Sequence, residues 1–177
     1  MSAGTFQIAL ETVDDHAAVD ALTWRVFGPG MVARAAYALR EGVPHEPSLA
    51  FLAKEPDGAV IGTVRFTRVR WGGEPAWMLG PLAVAKKRNG LGIGSALMRT
   101  AMAACGQQAE EAGIQTVLLV GDLAYYEPFG FQRIPPGNAI LPRPAAPNRI
   151  LVCPLNQAPK NHPSGRVERW IKSQNAL

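Results

Sequence analysis

Three glycines stand within five residues, Gly90, Gly92 and Gly94, where an apolar segment gives way to a long run of good helix formers. Each costs backbone entropy, about 0.5–1 kcal/mol relative to alanine in a regular element, so the stretch answers a local need. Lys86, Lys87 and Arg88 precede it, and no Asp or Glu occurs between Glu74 and Glu110, although acidic residues are the usual complement to a helix start. The first turn of a helix leaves its N–H groups unpaired and carries partial positive charge. Glycine lets a ligand approach those groups. Strand, glycine-rich turn and helix together predict one unit with an anion site at its joint.

Two phosphate loops are excluded by spacing. A P-loop needs Lys and Ser or Thr after its last glycine, but Ser95-Ala96 follows Gly94. A dinucleotide fingerprint would place a small residue where Leu97 stands, and the acidic residue expected about 20 positions on is missing. A nucleotide-binding domain of another kind, using the same glycines, stays open. So does a tight turn that binds nothing. The net charge of +4 suits an anionic ligand but falls short of a nucleic-acid footprint.

The rest of the 177 residues fits one domain. Residues 5–11 read as a strand, followed by a helix that ends at Gly28-Pro29-Gly30 and a second, Ala-rich helix over 31–41. Residues 49–55 and 60–71 form a hairpin through "PDGA", and 76–85 is a mostly apolar strand interrupted by Gly80-Pro81, which predicts a bulge or splaying there. The long helix runs from Gly92 to about Ala112, with Ile93, Leu97, Ala101 and Cys105 as its buried stripe. Residues 114–120 are a buried strand, and "GFQRI" and 149–155 are two more around a Pro-rich loop. In the tail, Val167, Trp170 and Ile171 are spaced for one face of a short helix over 166–172, which could dock on its own domain or on a second copy as a homodimer.

The run Asn89-Gly90-Leu91-Gly92-Ile93-Gly94 resembles the [Gln/Arg]-x-x-Gly-x-[Gly/Ala] signature of the GNAT superfamily of N-acetyltransferases, with Asn89 in place of the usual Gln or Arg. A second stretch, Tyr126-Glu127-Pro128-Phe129-Gly130-Phe131, resembles that family's Tyr-x-x-x-Gly-Phe motif, one strand after the long helix. The resemblance implies an α/β fold of the α+β kind, the GNAT acyl-CoA N-acyltransferase fold. That is a mixed, mostly antiparallel sheet with a splayed central parallel strand pair, flanked by helices, over residues 1–156, with 157–177 as a tail.

The same resemblance implies acetyl-CoA as acyl donor, lying between strands 76–85 and 114–120. Leu82, Ala83 and Val84 would pair with its pantetheine arm, and Asn89, Gly90, Leu91, Gly92, Ile93, Gly94 and Ser95 would hold its pyrophosphate. The Leu82 N–H would face the carbonyl oxygen, and Tyr126 would be the general acid, with Tyr125 as the other choice. Glu74, Asp122 or water would be the base. The acceptor is then a primary amine of a small molecule or peptide, with no metal, nucleic acid or membrane involved. The competing class is a non-catalytic acyl-CoA-binding module.

His16, His45 and His162 form no spacing motif, and neither Cys105 nor Cys153 has a neighbouring base that would make it a nucleophile. Two distant cysteines fit a reducing compartment. With no apolar run long enough to span a bilayer and no leader pattern at the N-terminus, the expectation is a cytoplasmic protein.

Overall fold

The longest strands arise where β-branched and aromatic residues run with the least interruption. In the computed structural model, which describes residues 5–156 and 162–171, these are β3 (Val60–Trp71) and β4 (Glu74–Val84). Gly72 and Gly73, at φ 56° and 91°, supply the positive dihedrals that a two-residue hairpin turn requires. On one side β2 (Phe51–Lys54) and β1 (Gln7–Leu10) continue the sheet antiparallel. On the other side β5 (Thr116–Val120) runs parallel to β4, followed antiparallel by β8 (Ile150–Pro154) and β6 (Gln132–Arg133).

Alternation along the central strands separates two buried clusters. Trp77, Leu79, Val117 and Leu119 face the long helix α3 (Ile93–Ala112), whose predicted stripe of Ile93, Leu97, Ala101 and Cys105 is fully buried. Ala76, Met78 and Leu118 face the opposite side and meet Leu39 of the short helix α2 (Ala35–Arg40). Helix α1 (His16–Phe27) lies against β3 and β4. Gly62 lets α3 approach β3: a Cβ there would stand 2.8 Å from Ile93 and 2.9 Å from Leu97. No helix among the described residues is long and apolar enough to cross a membrane.

Two expectations need correction. The helix expected over 31–41 is shorter, because Pro29–Ala33 make a 3-10 turn and Arg34 is extended (ψ 146°) before α2 begins. The tail helix expected over 166–172 is a strand, β9 (Gly165–Arg169). It pairs with Val69–Trp71 of β3, a stretch of edge left free beyond the end of β2, and with the two-residue β7 (Ala139–Ile140). Of the expected apolar face, Val167 is buried in this chain's own core, Trp170 lies over the Arg68 guanidinium at 4.1 Å, and Ile171 is exposed. That face therefore gives no ground for a homodimer. Residues 157–161 and 172–177 of the tail lie outside the described residues.

Candidate functional site

The sheet opens where the sequence breaks its own strand. β4 pairs with β5 only at Trp77–Val117 and Met78–Leu118. Past Met78 the register against β3 shifts: Leu79 is opposite Phe66 and Leu82 opposite Val64, so Gly80 and Pro81 together face Arg65 as the expected bulge. The two parallel strands diverge from there. Between them lies a cleft of about 980 Å³, bounded by the start of α3, the short helix α4 (Leu123–Tyr126) and residues of α1 and α2.

Antiparallel pairing decides which peptide groups of β4 reach this cleft. The Ala85 N–H donates to the Ile61 carbonyl at 2.8 Å, so Ala85 and Ile61 form a hydrogen-bonded pair. Pairs alternate along an antiparallel ladder. Hence Ala83 spends its peptide groups on Thr63, while Leu82 and Val84 turn theirs away from β3, toward the space β5 has left. Leu82 and Val84 line the cleft, and Ala83 does not. Of the three residues expected to pair with a pantetheine arm, Leu82 and Val84 open their peptide groups to the cleft and Ala83 does not.

The start of α3 forms one end of the cleft. Gly92 caps it in the left-handed conformation (φ 75°), Gly90 is likewise at φ 82°, and a Cβ on either would meet no atom within 4 Å. These two glycines make the turn and leave open space above it. No side chain caps the helix and no acidic residue lies in its first turn, so the N–H groups of Ile93, Gly94 and Ser95 are free for an anion. Asn89, Gly90, Gly92, Ile93, Gly94 and Ser95 line the cleft, whereas the Leu91 side chain points into solvent. Of the upstream cations, Arg88 is tied to Glu55 at 2.6 Å, and Lys86 and Lys87 are exposed outside the lining.

Gly94 has a different reason to be glycine. Its missing Cβ makes room for the Tyr125 hydroxyl. Gly121, at the end of β5, does the same for the Tyr126 ring. The two tyrosines meet edge-on at 4.9 Å, and Tyr126 also packs on Phe131 at 5.8 Å. Both line the cleft. Burial, with Tyr125 beside it, pushes the Tyr126 phenol up to about 12. Burial also raises Tyr125, against the pull of Ser95 and Arg99.

The remaining wall is cationic, a feature no sequence motif announces. Arg34, Arg40, Arg88 and Arg149 line the cleft, against Asp122 as its one carboxylate among the described residues. Arg40 ends α2 and sets its Nη1 about 3.0 Å from where a Cβ on Gly80 would stand. Glu74 is at the hairpin end of β4, opposite Trp71 and six residues before the break, and does not reach the cleft. This removes it as a base. His16 and His45 lie edge-on at 5.3 Å beside Glu11, whose carboxylate already accepts from Arg65 Nε at 2.8 Å. None of the three lines the cleft.

The sequence matches the model of the acetyltransferase (GNAT) family over residues 16–131. It is 29% identical over 136 residues to the uncharacterized N-acetyltransferase YjhQ of Escherichia coli K12, covering 75% of this chain and 72% of that one. To the uncharacterized N-acetyltransferase YhbS of the same strain it is 33% identical over 127 residues, 71% and 72% of the two chains. The crystal structure of E. coli YhbS in complex with CoA superposes with a TM-score of 0.77 at 28% identity, over 96% of this chain and 92% of that one. A GNAT family acetyltransferase from Brucella melitensis in complex with acetyl-CoA gives 0.65 at 28% identity, over 94% and 97%.

Proposed function

Because the chain belongs to the acetyltransferase (GNAT) family, we propose that it transfers the acetyl group of acetyl-CoA directly to a primary amine of a small molecule or peptide. The observation that carries this reading is the pair of outward-facing peptide groups at Leu82 and Val84, on a strand that has parted from its neighbour beside an uncapped helix start. A CoA thioester needs both features, one for its amide-bearing arm and one for its diphosphate. The crystal complexes of the two similar proteins with CoA and acetyl-CoA support the same assignment.

Acetyl-CoA supplies an activated acyl group; the chain supplies the rest. The amides from Gly90 to Ser95 bind the diphosphate, and Leu82 and Val84 extend the sheet with the pantetheine amides. The Leu82 N–H faces the carbonyl oxygen as negative charge develops on it. The Tyr126 hydroxyl, protonated at any working pH, donates to the departing sulfur. An alkyl ammonium has a pKa near 10, so one proton must be taken before attack, and Asp122, which lines the cleft, receives it directly or through water. As the C–N bond forms and the C–S bond breaks, the second proton leaves nitrogen and replaces the one Tyr126 gave to the sulfur. The two buried, unpaired cysteines support a reducing, cytoplasmic setting.

The test is a CoA-release assay over amines, amino acids and peptides, with thermal-shift measurements using CoA, ATP and NAD. Transfer to an amine together with stabilisation by CoA bears the reading out. Stabilisation by CoA with no transfer across the panel points instead to an acyl-CoA-binding module. Stabilisation by ATP but not by CoA overturns it.

A further inference from the structure

Among the described residues that line the cleft, Arg40 is a desolvated charge with no carboxylate beside it. Its guanidinium sits in the wall between α2 and the β4 break, part of its surface open to the cavity. The ionisable groups that act on it are Arg65, then Tyr37 one turn back on α2, then Arg34; the two arginines are like-signed, Tyr37 acts in the opposite sense, and no carboxylate among the described residues joins them. Its cationic neighbours are engaged elsewhere: Arg34 lies over the Phe27 ring at 5.1 Å, Arg149 Nε reaches the Gly121 carbonyl at 3.4 Å, and Arg65 is held by Glu11 and Asp20. Burial pushes Arg40 down to about 10, which leaves it charged at neutral pH. A desolvated cation without a partner is costly, and a ligand that brings the partner recovers that cost.

The CoA diphosphate is a poor candidate for that partner. Gly80, against which Arg40 lies, is ten residues before Gly90 in the chain. The strand from Gly80 to Val84 alone spans about 13 Å at 3.3 Å per residue, directed toward the anion site at α3. Arg40 therefore stands at the opposite end of the open strand from the anion site, in a cleft that Phe27 and Met31 also line, and that end is left for the acceptor. Asp122, at the end of β5, offers the complementary negative charge within the same cleft.

We infer that the acceptor is an amino-acid-like amine, and that Arg40 binds its carboxylate while the amine is presented on the Asp122 side. This rests on the acetyltransferase reading of the site. It makes Arg40 a specificity-determining residue, and it makes the cleft hostile to polyamines, whose second cation would face an unneutralised guanidinium. The planar, donor-rich guanidinium also suits a carboxylate better than a point-charge cation would.

Two measurements separate this inference from the reading beneath it. In the first, acetylation of amino acids is compared with that of their carboxamides and of polyamines. Wild type should favour the free carboxylates in kcat/KM, and in Arg40→Gln that ratio should fall about 10- to 100-fold, as expected for a lost charge-assisted hydrogen bond. Arg40→Lys should restore part of it. In the second, CoA-saturated protein is titrated with N-acetyl amino acids and their carboxamides, which needs no turnover. Carboxylate-dependent binding that disappears in Arg40→Gln upholds the acceptor class even if transfer fails. Equal binding of acid and carboxamide, faster turnover of polyamines, or weakened CoA binding by Arg40→Gln each overturns it.

Discussion

The hydroxyl of Tyr125 fills the space that a Cβ on Gly94 would take, and the ring carbon bearing that hydroxyl would lie an ordinary 3.6 Å away. Gly94 is inside helix α3, where alanine normally gains about 1 kcal/mol over glycine. Here the sign should reverse. Gly94→Ala is expected to destabilise by about 1–3 kcal/mol, as overpacking does, because the Tyr125 side chain must leave its place or α3 and α4 must part. In a Tyr125→Phe background the obstacle is gone and the same change should stabilise. Unfolding of the four variants in urea gives the coupling energy; additive effects would show that the contact does not constrain Gly94.

Ser95 is in the first turn of α3, one of the three residues whose N–H groups are free. An acidic side chain there complements the helix dipole, worth about 0.3–1 kcal/mol. The same charge opposes a diphosphate. Ser95→Asp should therefore raise the unfolding midpoint while weakening CoA, seen as a smaller CoA-induced thermal shift and a higher KM for acetyl-CoA. Loss of stability, or unchanged CoA affinity, would mean that the helix start is not the anion site.

Those two neighbours show what the chain reveals locally and what it hides. The glycine turn and the Gly80-Pro81 break are properties of consecutive residues, so their consequences can be read in order along the sequence. Gly94 looks like part of the same device, yet it answers to Tyr125, thirty-one residues on. Arg40 is an ordinary last-turn arginine until α2 is laid against β4, and no spacing encodes that meeting. Residues 165–169 fail as a sequence reading for a related reason: Val167, Trp170 and Ile171 fit a helical period, but the strand exists because the far edge of β3 has no other partner. Pairing across about a hundred residues leaves no local signature.

Tyr126 carries two separable expectations. For catalysis, Tyr126→Phe should lower kcat by about 100-fold or more, in the range of a lost acid, with little change in the KM for acetyl-CoA. An unaffected kcat, with loss in Tyr125→Phe instead, would transfer the role to Tyr125.

For stability, the Tyr126 phenol is raised from 10 to about 12 by burial and by Tyr125. Below pH 10 both folded and unfolded chains hold the proton, and the group has no effect on the pH dependence. Between about pH 10 and 12 the unfolded chain releases it first, so stability falls as pH rises, by up to roughly 1.4 kcal/mol per unit. Wild type should therefore lose more stability than Tyr126→Phe across that window. Parallel urea midpoints for the two proteins up to pH 12 would show that Tyr126 is not held away from water.

The ladder alternation at β4 makes the sharpest demand on the fold and on the chemistry together. Leu82 faces its N–H into the cleft and Ala83 spends its own on Thr63. Proline removes an N–H and little else where none is bonded, but breaks the ladder where one is. Leu82→Pro should keep the protein folded, with a circular dichroism spectrum near wild type and a CoA-free midpoint lowered only by the lost packing of the Leu82 side chain on the core, while kcat falls about 100-fold, as for a missing oxyanion donor. Ala83→Pro should do the reverse in kind: it costs stability first, and activity only as the folded fraction falls. If Leu82→Pro unfolds the chain and Ala83→Pro does not, the parity is inverted, and the carbonyl oxygen of the acyl donor must find its donor at Ala83.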